Sequence, residues 1–242
     1  MDAVYTQEFT LTDLHLDRFR RLKPSVLLHL VQEVSGQHAA RLGASWDDLA
    51  EKGVFWAIIR HRVQIHRLPE AGQTIRLETW PMPTTRTAYP RATACYDEAG
   101  KLLFSSHALW VLMDIHTRAM VLPGKSQVTV PGHLRGLEIP APGPVPPKVY
   151  ETAADRHVGF SLLDRNGHMN NTYYLDWTAD LLPGDFHRDH PLKSLNICYL
   201  SEAREGQAVR LHYLLDGENK LHVEARSGEE NTHRVFAVQA GY

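Results

Sequence analysis

The densest set of groups able to do chemistry lies in eight consecutive residues, Asp164-Arg165-Asn166-Gly167-His168-Met169-Asn170-Asn171. A carboxylate, an amide and an imidazole stand at alternate positions, Asp164, Asn166 and His168. In an extended segment side chains alternate, so these three would share one face. An imidazole can move a proton near neutral pH, a carboxylate can orient it, and an amide can hold a polar substrate or an oxyanion. Asx residues just before a helix also cap it, and Asn170 or Asn171 is expected to do so. Capping does not account for the three residues upstream. No metal and no cofactor are expected.

An apolar helix must position this set. Tyr174, Trp177, Thr178 and Leu181 follow at helical spacing, and Pro183-Gly184 ends the stripe. The first turn of that helix would offer unpaired N–H groups and partial positive charge to a developing oxyanion. His157 to Leu163 reads as the preceding strand. Beyond the helix, Leu195, Ile197 and Tyr199 alternate with Asn196, Cys198 and Leu200, the pattern of a half-buried strand. Asp216-Gly217 and Ser227-Gly228 mark the turns of antiparallel hairpins.

The same order occurs earlier in the chain. Gln7 to Leu16 reads as a strand, and Pro24-Ser25 as a helix start. Leu27, Leu30, Val31, Val34 and Leu42 form the stripe, and Gly43 a stop. Ile59, His61, Val63 and Ile65 then alternate with Arg60, Arg62, Gln64 and His66, and Glu98-Ala99-Gly100 marks a turn. Two blocks match directly. Asp17 to Pro24 lies over Asp164 to Asn171, 147 residues on, and Gly72 to Leu77 lies over Gly206 to Leu211, 134 residues on. The first copy has Asp17, Phe19 and Arg21 where the second has Asp164, Asn166 and His168. One scaffold copy and one catalytic copy are therefore expected.

A helix followed by a meander of antiparallel strands must bury the helix on the sheet. The expected fold is α+β, two tandem hotdog units, each a long helix packed on an antiparallel sheet. Residues 138–149 separate them and hold five of the 14 prolines. Such a stretch cannot supply a continuous ladder of donors and reads as an extended linker between units 1–137 and 150–242.

Composition narrows the partners. The chain has 242 residues, 43% of them hydrophobic, enough for a sizeable core. A net charge of -2 gives no overall basic field for nucleic acid. Two cysteines, Cys95 and Cys198, make no disulfide framework and suit a reducing compartment. No apolar run approaches the roughly 20 residues of a membrane span. The first residues lack the features of a signal peptide, so the cytoplasm is expected.

Asp164 to Trp177 fits the pattern D-x-N-x-H-x-N-N-x-x-Y-x-x-W. Trp56 to Arg67, Trp80, Ala108 to Asp114 and Thr117-Arg118 support the same likeness. On these residues the chain resembles the acyl-ACP thioesterase family of plants and bacteria. The resemblance implies hydrolysis of the thioester that joins a fatty acyl chain to acyl carrier protein, with Asp164, Asn166 and His168 at the catalytic positions. A Glu-Cys pair of that family falls on Glu202 and Ala203, so a cysteine nucleophile at that place is excluded. Chemistry would run through water, with Glu202 as base alone or through His168, or through Asp164 as nucleophile. Cys198 reads as inert packing.

The resemblance further implies an acyl slot in the first copy, for which Leu27, Leu30, Val31, Val34, Trp56 and Ile58 are candidates, most of them equally suited to plain core. An acidic carrier protein would need a basic patch. Arg18, Arg20, Arg21 and Lys23 form one candidate, and Arg60, Arg62, His66 and Arg67 another. Acyl-CoA as substrate and a non-catalytic acyl-binding role are the rival readings. A hotdog hydratase fits less well, since its D-x-N-P-x-H pattern has a proline and a spacing absent here. A homodimer is compatible with the sequence.

Overall fold

Pro24 opens the longest helix, where its missing N–H costs nothing and its fixed φ suits the first turn. Gly43, at φ +71°, turns the chain away beyond the last turn. The computed structural model describes residues 3–242, the side chain of Glu229 excepted. In chain order the elements are β1 (Tyr5–Thr10), α1 (Pro24–Arg41), α2 (Trp46–Ala50), β2 (Val54–Ile65), β3 (Thr74–Pro81), β4 (Tyr89–Tyr96), β5 (Leu102–Asp114) and β6 (Met120–Val121). They continue as β7 (Thr152–His157), α3 (Tyr174–Ala179), α4 (Gly184–Asp189), β8 (Ser194–Tyr199), β9 (Ala208–Leu215), β10 (Lys220–Ser227) and β11 (His233–Gly241).

The strands form one sheet in the order β1-β3-β4-β5-β2-β8-β11-β10-β9-β7, with β6 against β5. Two five-stranded halves meet where β2 pairs antiparallel with β8, from Arg60↔Cys198 to Gln64↔Ser194. Leu28 and Val34 of α1, Trp177 of α3, Phe104 and Phe236 all belong to one continuous buried cluster. The fold is thus α+β, helices packed on a large antiparallel sheet in the hotdog manner.

Several elements differ from their sequence pattern. The first leading strand ends at Thr10, short of Leu16, because a 3-10 turn at Asp13–His15 replaces its second half; the second lies upstream of His157 to Leu163, at Thr152–His157, and a 3-10 turn at Phe160–Leu162 stands where the strand was expected. The second helix is short: a 3-10 turn at Asn171–Tyr173 runs into the six residues of α3 before Pro183 intervenes. In β2 the register shifts between Ile58 and Arg60, so Ile59 falls in a bulge and only His61, Val63 and Ile65 keep the alternation.

The proline-rich stretch forms no helix or strand, yet it is fastened to the helix-free face of the sheet. Val145 packs on Cys198 and Ala237, and Asn196 Nδ2 donates to the Gly143 carbonyl at 3.1 Å. Ile139 packs beside Trp80, Ala92 and Ala94. Among the described residues no helix is long and apolar enough to cross a membrane.

His61 is fully buried, and neither ring nitrogen has a hydrogen-bond partner among the described residues. Burial, and then the neighbouring His107, push it down to about 3. Between about pH 6.5 and 3 the unfolded chain therefore binds a proton that the folded chain does not, and stability falls as pH falls through that window. The slope is at most about 1.4 kcal/mol per pH unit. Urea unfolding is expected to show about 2 kcal/mol less stability at pH 5 than at pH 7, and His61→Leu should flatten that difference. An equal acid loss in the variant would contradict this.

Candidate active site

Asp164 organises a tight turn. Its Oδ1 accepts the backbone N–H of Asn166 at 2.8 Å and that of His168 at 3.2 Å. The Gly167 N–H returns to the Asp164 carbonyl at 3.0 Å, and Gly167 takes φ +75°, which glycine adopts without strain. Leu163 bridges Met169 across the turn. The segment is therefore not extended, and Asp164, Asn166 and His168 converge through an Asx turn rather than through strand alternation. Asn170, not Asn171, caps the 3-10 turn that leads into α3, accepting from Thr172 N at 3.1 Å. Asn171 Oδ1 accepts from Gln32 of α1 at 2.5 Å.

The first copy makes the same turn. Asp17 Oδ1 accepts from Phe19 N at 2.8 Å and Arg21 N at 3.0 Å, Arg20 takes φ +64°, and Leu16 bridges Leu22. There the residue matching His168 is Arg21, whose guanidinium donates to the His187 and Arg188 carbonyls at 2.8 and 2.9 Å. It fastens the end of α4 and holds no reactive partner.

Glu202 lies beyond β8 and meets the second-copy turn. His168 Nε2 is 3.1 Å from Glu202 Oε2, with the side chains 15% and 39% exposed. A carboxylate only accepts, so Nε2 carries the proton and Nδ1 is left as the basic nitrogen of the neutral ring. The other oxygen of Glu202 accepts from Arg118, whose guanidinium also lies 4.5 Å from the centre of the Phe55 ring. Asn166 Nδ2 donates to Asp164 Oδ2 at 3.4 Å, and its Oδ1 accepts from Trp46 Nε1 at 3.3 Å. One amide hydrogen of Asn166 remains for a ligand.

Ala203 is fully buried in the core, and its methyl group offers no nucleophile at that position. Cys198 faces the linker, with Sγ 3.6 Å from the Gly143 carbonyl, away from the turn. Among the described residues no cluster of His, Cys, Asp or Glu is placed to hold a metal ion.

Two neighbouring cavities lie beside the set, with lining residues in common. One of about 400 Å³ is lined by Asp164, Asn166, His168 and Glu202 from the second copy, and by Gln32, Phe55 to Ile59, Trp110 and Arg118 from the first. The second, about 230 Å³, shares Gln32, Trp56 and Trp110 with it and continues between α1 and the sheet. Its roof is the Gln32, Ser35, Gly36 and Ala39 stripe of α1, whose small side chains leave the space. Of the sequence candidates for an acyl slot, Trp56 lines both cavities and Ile58 the first; Leu27, Leu30, Val31 and Val34 are core and line neither. Trp46, Gln32 and the pairing of Arg118 with Glu202 carry no sequence signal that marks them as site features.

Known proteins share this arrangement of sequence. The family model for the acyl-ACP thioesterase N-terminal domain matches residues 2–122, and that for the C-terminal domain matches residues 148–238. The chain belongs to the acyl-ACP thioesterase family. A chloroplastic acyl-[acyl-carrier-protein] hydrolase of Cuphea viscosissima is 23% identical over 214 residues, 82% of this chain and 52% of that protein. Oleoyl-acyl carrier protein thioesterase 1 of Arabidopsis thaliana is 23% identical over 230 residues, 85% of this chain and 62% of that protein. The chain thus spans about half to three-fifths of the length of these curated relatives. Among acyl-ACP thioesterases of known structure, that of Bacteroides thetaiotaomicron superposes with TM-score 0.89 at 22% identity, over 99% of this chain and 97% of that one. The 12:0-ACP thioesterase of Umbellularia californica superposes with TM-score 0.83 at 19% identity, over 100% and 97%. These likenesses carry the fold.

Proposed function

We propose that this chain hydrolyses fatty acyl-ACP thioesters to free fatty acid and carrier protein, with Asp164, Asn166, His168 and Glu202 as its catalytic set. The observation that carries this reading is the His168–Glu202 pair at the junction of a polar cavity with an apolar one, in a member of this thioesterase family. Glu202 holds the imidazole through Nε2–H and balances the charge it gains. His168 Nδ1 takes a proton from water as that water attacks the thioester carbonyl. Asn166 Nδ2 stabilises the oxyanion, and Asp164 positions both residues through the turn. The proton then passes to the departing sulfur of the carrier's thiol. Units 1–137 and 150–242 divide the work: the first houses the acyl chain, and the second supplies the reacting groups.

The carrier protein docks through basic residues. Arg21 and Arg67 are already engaged, Arg21 with the end of α4 and Arg67 with Asp97 at 3.1 Å. Arg18 and Arg20, both on the exposed loop before α1, remain the stronger candidates. Cytoplasmic location and a homodimer belong to the same proposal.

The test offers the purified chain acyl-ACP and acyl-CoA of several lengths and measures free fatty acid. Faster release from acyl-ACP, weakening as salt is raised, is expected. Faster release from acyl-CoA would move the substrate class, and release from neither would leave a non-catalytic acyl-binding protein.

A further inference from the structure

Two neighbouring residues of the second-copy turn grip one side chain of the first copy. That side chain is Trp46, the first residue of α2. The Arg165 guanidinium lies over its ring, 3.9 Å from the centre. Asn166 Oδ1 accepts from its Nε1–H at 3.3 Å. The backbone that carries the indole is well held. Ser45 Oγ accepts from the Asp48 N–H at 3.1 Å, and the Asp48 carboxylate accepts from the Ser45 N–H at 2.8 Å. This reciprocal cap fixes the start of α2. Leu49, farther along it, is buried with Val54, Tyr89 and Leu112.

The chemistry at the two ends of Asn166 decides how its amide stands. An indole N–H only donates, and a carboxylate only accepts. The amide lies between one of each: Oδ1 meets Trp46 Nε1, and Nδ2 meets Asp164 Oδ2 at 3.4 Å. Turning it over would set N–H against N–H at one end and oxygen against oxygen at the other. The contact to Asp164 is long, and alone it would let the amide pivot. The indole supplies a second point. An amide held through its oxygen and one N–H has the direction of its other N–H fixed, and that is the donor left for an oxyanion. Trp46 is 39% exposed, so water competes for the contact and its worth is a modest factor. Trp46 also lines the apolar cavity, whereas Asn166 lines the polar one.

We propose that Trp46 is a positioning residue for hydrolysis, its Nε1–H holding the Asn166 amide so that the free N–H faces the thioester oxygen. The inference rests on the thioesterase reading for its chemistry, but the contact itself can be observed without turnover. The first copy then contributes to the reaction as well as to acyl binding. The ring that an acyl chain meets in the apolar cavity also sets the donor that meets its carbonyl. The rival role is a clasp between the copies, in which Arg165 over the ring does the holding. Trp46→Phe separates the two, because it keeps a ring beneath Arg165 and removes the N–H.

The experiment measures single-turnover hydrolysis of dodecanoyl-ACP by the full chain as wild type, Trp46→Phe, Asn166→Ala and the double variant. Trp46→Phe should lower the saturating rate about 3–10-fold with little change in the half-saturating concentration. In the Asn166→Ala background the same substitution should cost nothing further, since the indole then has no amide to hold. A similar loss in both backgrounds, a loss confined to the half-saturating concentration, or no loss overturns the proposal. The Asn166 side-chain signals in a ¹H–¹⁵N spectrum, identified by their absence from Asn166→Ala, give a second readout and should move in Trp46→Phe. If wild type hydrolyses neither dodecanoyl-ACP nor dodecanoyl-CoA, the thioesterase reading fails, and signals that move still support the hold of Trp46 on the amide. Signals that stay in place overturn the proposal, whatever the hydrolysis shows.

Discussion

Glu202→Gln should lower kcat/KM for thioester hydrolysis by about 10²–10⁴ while leaving KM nearly unchanged. Glutamine keeps the size of the side chain and an oxygen that can accept from His168 Nε2–H. It removes the negative charge that stabilises the imidazolium formed when Nδ1 takes the proton from water. It also leaves Arg118 without its counter-ion, since that guanidinium pairs with the other oxygen of Glu202. His168→Ala should cost a similar factor, and the double variant little more than either single one, because groups acting as a unit are not additive. Steady-state hydrolysis of acyl-ACP by the three variants checks this. Nearly full activity in either single variant would remove the pair from the mechanism.

Asp164 separates the two routes that the sequence leaves open. Its Oδ1 is taken by two backbone N–H groups and its Oδ2 by the Asn166 amide, so the carboxylate serves as the keystone of the turn. Asp164→Asn keeps an oxygen for the backbone donors and should cost about tenfold in kcat, the misorientation of Asn166 being the main loss. A covalent route through Asp164 predicts near-complete loss instead, since an amide cannot form the anhydride. Asp164→Ala strands both backbone donors. It should lower stability by about 1–3 kcal/mol as well as activity, which urea unfolding would register.

The second-copy cluster is visible in the sequence because a short turn brings its groups together locally. Its geometry is not the alternating strand expected of it: Asn166-Gly167 is itself a turn signal, and Gly167 at φ +75° makes the segment a turn. The duplication is legible in Asp17 and Asp164, and the structure shows why, since both carboxylates hold the same loop. Glu202 is reached only through family resemblance, because no local pattern marks a partner on a distant strand end. Arg118, Trp46 and Gln32 come from the first copy, from the turn between β5 and β6, from α2 and from α1, and reach the site because the two halves of the sheet join at β2 and β8. The roof of the inner cavity is hidden for another reason. Ser35, Gly36 and Ala39 contribute by being small, whereas the apolar stripe of α1 consists of the large residues that fill the core.

Direct attack by water, activated by His168 and Glu202, is tested best by one turnover in ¹⁸O-water with the enzyme in excess over acyl-ACP. Mass spectrometry then follows the label in the released acid and in the peptide that contains Asp164. One ¹⁸O atom in the acid and none in Asp164 is the predicted result; ¹⁸O in Asp164 with an unlabelled acid would contradict it.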